Sequence, residues 1–146
     1  MFSKDALKGQ RILVTGGGSG LGKEMSRHFL KFGSEVVICG RRESVLEDTA
    51  KELSDETGGV ITYFPLDIRD SMAIEASIEE LFNEKPLTGL VNNAAGNFIS
   101  RTKDLSPNGF NAIASIVFHG TFYITNAVGK RWIETVSYTH LRAHET

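Results

Sequence analysis

The sequence contains only one cysteine, Cys39, so no disulfide can form within the chain. A single thiol in an apolar run favours a reducing compartment and a place in the core. No apolar stretch approaches the roughly 18 residues needed to cross a bilayer. The segment from Met1 to Lys8 resembles neither a signal peptide nor a transit peptide. We therefore expect a cytoplasmic or otherwise soluble intracellular protein, of undetermined organelle and with no membrane partner.

The chain also lacks an excess of either charge, since 16 basic and 18 acidic residues give a net charge of -2. No basic run is present, and this argues against nucleic acid as a partner. His140 and His144 are four positions apart but have no third ligand nearby, so we expect no metal site. Apolar residues form 40% of the 146 positions, as in an ordinary folded domain.

Short apolar segments alternate with segments of helical periodicity from Arg11 onward. This pattern is typical of strand-helix-strand units around a parallel sheet, so the predicted fold class is α/β. Ser106 and Pro107 should begin a further helical region over residues 105–132, with a break near Gly120. The predicted strands are residues 11–15, 35–39, 60–64 and 89–92, and the predicted helices are residues 21–32, 43–56 and 71–82.

A glycine-rich segment, Thr15-Gly16-Gly17-Gly18-Ser19-Gly20-Leu21-Gly22, lies between the first predicted strand and the first predicted helix. Glycines allow a tight turn and bring the backbone close to a pyrophosphate, whose charge is favoured at a helix N-terminus. The alternative is a glycine-rich turn without a ligand, which the strand and helix on either side make less attractive. The predicted cofactor-binding residues of this loop are Gly16, Gly17, Gly18, Ser19, Gly20, Leu21 and Gly22.

Two further features extend the match beyond the loop: Asp67 after the third strand, and Asn92-Asn93-Ala94-Ala95-Gly96 after the fourth. Taken without the other features, Asp67 would be interpreted as a loop acid or a helix cap, and the two asparagines would be interpreted as a turn. In this order, the three features resemble the short-chain dehydrogenase/reductase family over about residues 8–134. The resemblance implies a Rossmann-type, doubly wound parallel sheet, here its amino-terminal part of about four strands within residues 1–135. It also implies that Asn93, Ala94 and Gly96 pass beside the cofactor and that Asp67 approaches its adenine.

The second predicted strand ends in Gly40-Arg41-Arg42. Sites for NAD usually have an acidic residue there, whereas two guanidinium groups can bind the additional 2'-phosphate of NADP. The alternative is a solvated helix start, but cations at a helix N-terminus oppose the helix dipole. We therefore predict NADP(H) as the cofactor, bound in part by Arg41 and Arg42.

Within the family, residues 93–100 and 104–108 are most similar to 2,4-dienoyl-CoA reductases, which use NADPH to reduce dienoyl-CoA thioesters during degradation of unsaturated fatty acids. This resemblance implies that Asn97 is catalytic and holds the thioester carbonyl. Val117 stands where many family members have a catalytic asparagine, and this agrees with the narrower assignment unless the site is degenerate. The resemblance also implies an acyl-CoA substrate and substrate-binding roles for Arg41, Arg69, Phe98 and Ser106.

The family's catalytic tyrosine and lysine should lie beyond Thr146. Tyr138 and Arg142 imitate their spacing, but no fifth strand precedes them. Residues 136–146 depart from the family and resemble translated sequencing-adapter DNA, so we expect a non-native tail and a truncated, inactive chain. The full-length parent should be a homo-oligomer, a tetramer. Two alternatives remain open: a different reductase of the family, such as one acting on 3-oxoacyl thioesters, and a non-catalytic nucleotide-binding module.

Overall fold

Strands and helices alternate in the computed structural model, which describes residues 3–96 and 100–144. The predicted α/β class and the order of elements are confirmed, with boundaries that shift by a few residues. A short 3-10 turn at Thr102–Asp104 and a π-helical segment at Ser115–Gly120 complete the described elements. The strands are β1 (Arg11–Thr15), β2 (Glu35–Gly40), β3 (Ile61–Pro65) and β4 (Gly89–Val91), and the helices are α1 (Gly20–Lys31), α2 (Glu43–Thr57), α3 (Ser71–Glu84), α4 (Pro107–Ala114) and α5 (Thr121–His144).

All four strands run parallel, in the spatial order β3-β2-β1-β4. Leu13 on β1 pairs with Val37 on β2 and with Leu90 on β4. The chain therefore moves outward from β1 to β3 and then crosses back to place β4 on the other side of β1. Ligands of open α/β sheets bind at such a reversal, beyond the carboxyl ends of the strands.

The two faces of the sheet pack against different helices because side chains alternate along each strand. On β1, Leu13 belongs to the core that contains Ile74 of α3 and Ile124 of α5. Its neighbours Ile12 and Val14 belong to the other core, with α1 and α2. Helices cover both faces, and the predicted doubly wound arrangement is confirmed.

A buried cation fixes α3 against the start of β1. Arg11 is 6% exposed, and its guanidinium donates to the carbonyl oxygens of Leu81 (2.8 Å) and Lys85 at the end of α3. The same group forms an ion pair of 3.1 Å with Glu84. At the other end of α3, the Asp70 carboxylate accepts from the backbone N–H groups of the first helical turn. α3 is thus anchored at both ends.

The helical region after Ser106 begins as predicted but does not break near Gly120. The Ser106 hydroxyl accepts from the N–H of Gly109 at 3.0 Å, and Pro107 is the first helical residue. At Gly120 the chain instead completes the π-helical segment and continues into α5. A Cβ at Gly120 would lie 2.7 Å from Cδ1 of Ile68, so the absent side chain permits close packing there and does not end the helix.

The expectation that no apolar stretch approaches the length of a membrane span was wrong. An 18-residue window within the continuous helical stretch Pro107–Thr135 has a mean hydropathy of 1.2, enough by length and composition to cross a bilayer. The sequence pattern concealed it because polar residues divide the stretch into short apolar runs. Ile124, Ala127 and Val128 on α5 are fully buried against the sheet. Since core helices meet the same criterion, this helix is weak evidence for a membrane.

Candidate functional site

A cavity of about 300 Å³ lies beyond the carboxyl ends of the strands. It is at the point where the strand order reverses, between the loop after β1 and the segment after β4. Eight of the predicted cofactor-binding residues line it: Gly16, Gly18, Ser19, Arg41, Arg42, Asp67, Asn93 and Ala94.

The glycine loop is fixed by backbone contacts to β2 and by the close approach of α1. The N–H of Gly16 donates to the carbonyl of Cys39 at 2.8 Å. A Cβ at Gly22 would lie 2.3 Å from the carbonyl oxygen of Gly16, so any side chain at position 22 would displace α1 from the loop. Gly17 is buried, whereas Leu21 is 77% exposed. The cavity wall does not include Gly17, Gly20, Leu21 or Gly22, whose cofactor contacts stay predictions.

The single cysteine occupies the core at the end of β2, as its apolar surroundings predicted. Cys39 has no exposed surface, and burial raises the pKa of its thiol to about 12. The thiolate is therefore essentially absent near neutral pH, and this thiol has no nucleophilic role in the folded protein.

Hydrogen bonds between Thr15 and Asn93 connect the ends of β1 and β4. The Thr15 hydroxyl accepts from the backbone N–H groups of Asn93 and Ala94, each at 3.0 Å. In return, Nδ2 of Asn93 donates to the carbonyl oxygens of Thr15 (3.1 Å) and Gly16 (3.2 Å). Asn93 therefore holds the glycine loop against the segment that follows β4, and the cavity lies between these two segments.

An ionised carboxylate forms the part of the cavity wall after β3. The side chain of Arg69 hydrogen-bonds to Asp67 and lowers the pKa of that carboxyl to about 2, with a smaller contribution from the charge of Arg41. Asp67 consequently accepts hydrogen bonds and does not donate them at any physiological pH. Both oxygens of Asp67 already accept from Arg69, and an N–H donor of a ligand, such as an exocyclic amine, would add a further bond.

Two guanidinium groups stand at the cavity mouth between β2 and α2. Arg41 and Arg42 are both exposed, and Arg42 is the N-cap residue of α2 without a side-chain capping bond. Both line the cavity together with Val45 and Leu46 of α2. This combination of two cations and a helix N-terminus is suited to bind a phosphate group.

The structure does not bring the predicted substrate residues Arg69 and Ser106 into the cavity wall. Arg69 is paired with Asp67, and the Ser106 hydroxyl caps α4. Gly96 also lies off the wall, where its missing side chain accommodates Ile116, since a Cβ there would be 2.5 Å from Cδ1 of Ile116. The predicted catalytic Asn97 and the predicted substrate residue Phe98 lie outside the described residues. The roles of all five residues stay predictions.

Several wall residues of the cavity were not predicted from the sequence. Leu66 and Ile68 flank Asp67, and their proximity in sequence to that acid could have identified them. Ile116 reaches the wall from the π-helical segment, for which no local signal was recognised. Val117, the position at which many family members have a catalytic asparagine, lies next to Ile116 and is 46% exposed. The cavity residues that the sequence analysis did not assign are Gly40, Val45, Leu46, Leu66, Ile68, Ala95 and Ile116.

Comparisons with known proteins agree with this geometry. The family model of short chain dehydrogenases matches residues 10–137. A Caenorhabditis elegans protein named "Probable 2,4-dienoyl-CoA reductase 3" is 44% identical over 133 residues, which cover 89% of this chain and 43% of that protein. Peroxisomal 2,4-dienoyl-CoA reductase of Arabidopsis thaliana is 40% identical over 130 residues, which cover 88% of this chain and 43% of that protein.

The solved structures include a short chain dehydrogenase from Escherichia coli CFT073 complexed with NADPH. Its TM-score is 0.84 at 25% identity, and the match covers 92% of this chain and 57% of that one. The present chain thus spans less than half the length of the curated relatives described above.

Proposed function

The chain belongs to the short-chain dehydrogenase family, and from that premise we propose that it forms the cofactor-binding part of an NADPH-dependent 2,4-dienoyl-CoA reductase. The observation that carries this proposal is the cavity at the strand reversal, where Arg41, Arg42 and an ionised Asp67 meet the glycine loop. The names of the curated relatives supply the substrate class.

The cavity's polar groups fit the adenosine half of NADPH. Arg41 and Arg42 would bind the 2'-phosphate with charge-assisted hydrogen bonds. Asp67 would accept from the exocyclic amine of adenine, and the backbone N–H groups of residues 16–22 would hold the phosphates at the start of α1. Asn93, Ala94 and Gly96 would pass beside the cofactor on the β4 side. The adjacent arginines, with no acid at the end of β2, favour NADPH over NADH.

NADPH supplies the hydride when it is bound. Reduction of a conjugated thioester moves negative charge onto the thioester oxygen, and a hydrogen-bond donor at that oxygen stabilises the transition state. We assign this donor to the side-chain amide of Asn97. In this proposal Phe98 contacts the acyl chain of the substrate. Contacts to acyl-CoA are also proposed for Arg41, Arg69 and Ser106.

The single cysteine and the short-chain dehydrogenase membership support an intracellular enzyme. The family membership also supports a homo-oligomer, with a tetramer as the proposed state. Neither nucleic acid nor a membrane enters the proposal as a partner. Residues 1–135 form the proposed domain and residues 136–146 a proposed non-native tail. The 146-residue chain alone should not reduce dienoyl-CoA.

The proposed activity is tested with the full-length enzyme. Loss of NADPH absorbance is measured with a 2,4-dienoyl-CoA and, separately, with a 3-oxoacyl-CoA of matched chain length. We expect turnover of the dienoyl thioester with NADPH. Turnover of the 3-oxoacyl thioester alone would replace this proposal with a different reductase of the same family. Binding of NADPH with no turnover of either would favour a non-catalytic nucleotide-binding module.

The sequence of the parent transcript distinguishes the reductase hypothesis from the non-catalytic module without an activity assay. Sequencing it through the codon for Glu134 should yield continued family sequence, including a tyrosine and a lysine at the family spacing. A native stop codon soon after Thr146 would instead favour the non-catalytic module and contradict the assignment of residues 136–146 as a non-native tail.

A further inference from the structure

We propose that Thr49 of α2 is a positioning residue that sets the orientation of the Gly18–Ser19 peptide for binding cofactor phosphates. This inference rests on the proposed nucleotide-binding function and adds to it a residue outside the glycine loop.

The Thr49 hydroxyl donates to the carbonyl oxygen of Gly18 at 2.8 Å, across 31 positions of sequence. Thr49 is only 3% exposed, so this bond lies within the packing between α2 and the loop. A threonine inside a helix commonly bonds to the carbonyl four residues earlier in its own helix. Here the hydroxyl instead points from α2 to the loop. Threonine is a poor helix former, so helix propensity does not explain its presence at this position. The position is therefore better explained by the loop contact than by stability of α2.

Side chains of α2 also leave little room for a side chain at position 18. A Cβ at Gly18 would lie 3.2 Å from Cδ2 of Leu46 and 3.3 Å from Cγ1 of Val45. Val45 and Thr49 are one helical turn apart, so α2 supports the loop with adjacent residues of one face. Gly18 thus lies close to apolar side chains of the helix whose Thr49 donates to its carbonyl.

Fixing the Gly18 carbonyl also fixes the N–H of the next residue. No cis peptide occurs among the described residues, and in a planar trans peptide the C=O and the N–H point in opposite directions. With the Gly18 oxygen held toward Thr49, the N–H of Ser19 is directed away from that contact. Ser19 is the extended N-cap residue of α1, and its side chain makes no capping bond. Its N–H is thereby preorganised for a ligand oxygen, which lowers the entropic cost of binding.

The two arginines at the cavity mouth lie directly before the same helix. Arg42 is the N-cap residue of α2, and Arg41 immediately precedes it. Thr49 lies further along α2, so one rigid element connects the 2'-phosphate site to the glycine loop. A change at Thr49 should therefore alter the binding of adenosine phosphates and leave the hydride-transfer step unchanged.

The test compares three variants of the full-length protein. Thr49→Val removes the hydroxyl with little change in volume, and Thr49→Ser retains it. Thr57→Val is the control, because the Thr57 hydroxyl lies at the end of α2 away from the cavity, where it donates to the Leu53 carbonyl and accepts from the N–H of Gly59. We expect Thr49→Val to raise the Kd for NADPH and for 2',5'-ADP by the same factor, about three- to tenfold, from loss of one neutral hydrogen bond. Thr49→Ser should remain within about twofold of wild type, Thr57→Val should bind normally, and kcat at saturating NADPH should be unchanged in every variant.

Two results would overturn the role of Thr49. One is an unchanged Kd in Thr49→Val while its melting temperature falls as in Thr57→Val, which would show a purely structural hydroxyl. The other comes from the wild-type protein and requires no variant: absence of an NMR shift of the Ser19 amide on addition of 2',5'-ADP. Failure of the wild type to bind NADPH, NADH or 2',5'-ADP would contradict the proposed function itself, a result distinct from the other two.

Discussion

The guanidinium group of Arg69 binds the carboxylate of Asp67 through two nitrogens, with Nε at 2.9 Å from one oxygen and 3.1 Å from the other. The backbone N–H of Arg69 also donates to Asp67 at 3.0 Å. This pairing keeps the carboxylate ionised and oriented where β3 meets the cavity. Arg69, which the sequence assigned to the substrate, thus already has a structural partner.

Replacing Arg69 by glutamine should raise the pKa of Asp67 from about 2 toward about 4, because the largest cause of the depression is removed. The ionised carboxylate stabilises the folded state at pH values above its unfolded pKa, and this stabilisation is lost as pH falls through the folded pKa. In Arg69→Gln it is smaller, and its loss occurs at higher pH. Carboxyl carbon NMR measures the titration. Lys51→Gln, which removes an exposed pair with Asp55, should leave the pKa of Asp67 unchanged.

Reversing the charge of Arg41 should change the cofactor preference. Arg41→Asp replaces an attractive contact to the 2'-phosphate with a repulsive one. A charged hydrogen bond contributes about 1.5 to 3 kcal/mol, so the ratio of kcat/KM for NADPH over NADH should fall at least about tenfold. Lys8→Asp applies the same charge reversal before β1, at the opposite end of the strands, and should not alter the ratio. An unchanged ratio in Arg41→Asp would exclude this residue from phosphate recognition.

Removing the Thr15 hydroxyl should destabilise the connection between β1 and β4. In Thr15→Val the N–H groups of Asn93 and Ala94 lose their acceptor next to a side chain that is 1% exposed. We expect a loss of about 2 kcal/mol or more in the free energy of unfolding, measured in urea. Thr15→Ser keeps the acceptor and should recover most of that loss. Equal stability of the two variants would contradict the importance of these hydrogen bonds.

Two glycine-to-alanine substitutions should have opposite effects on stability: Gly22→Ala should destabilise the fold, and Gly129→Ala should stabilise it. In Gly22→Ala the new Cβ would lie 2.3 Å from the Gly16 carbonyl oxygen, so α1 and the loop must separate and binding of NADPH should fail. A Cβ at Gly129 on α5 would meet nothing within 4 Å. Gly129→Ala should therefore stabilise the helix by about 0.5 to 1 kcal/mol. Thermal unfolding and NADPH fluorescence measure both effects, and unimpaired cofactor binding by Gly22→Ala would contradict the close packing.

The sequence predicted the fold, the family and several residues of the cavity wall because their signals are local. The alternating apolar runs identified the strands, and the glycine spacing with Asp67 and residues 92–96 correctly indicated the family. The strand reversal then brings Gly16 and Asn93 together, as the motif order implied. These residues share the cavity because the carboxyl ends of parallel strands lie at one edge of the sheet.

The features that sequence reasoning missed depend on contacts between distant residues. In the sequence Gly120 indicates a break, but in the structure its missing side chain permits contact with Ile68, and the helix continues. Ile116 lies in the cavity wall because it belongs to a π-helical segment. The composition of that segment does not distinguish it from an ordinary α-helix. Thr49 is one of many helical threonines until the position of Gly18 is known. Packing between elements determined each of these outcomes.

The buried thiol at the end of β2 can serve as a built-in reporter of local opening. Cys39 has no exposed surface, and its carbonyl holds Gly16 at the entrance of the glycine loop. Its side chain belongs to the core that contains Ile74 of α3 and Ile124 of α5. An alkylating reagent can therefore reach this sulfur only when that packing opens, so the labelling rate follows the population of the opened form. Ligand that binds only the closed form should slow labelling by the factor 1 + [L]/Kd. Because the 146 residues contain no other cysteine, the mass of this chain measured over time would thus report cofactor affinity without a dye, a mutation or a turnover assay.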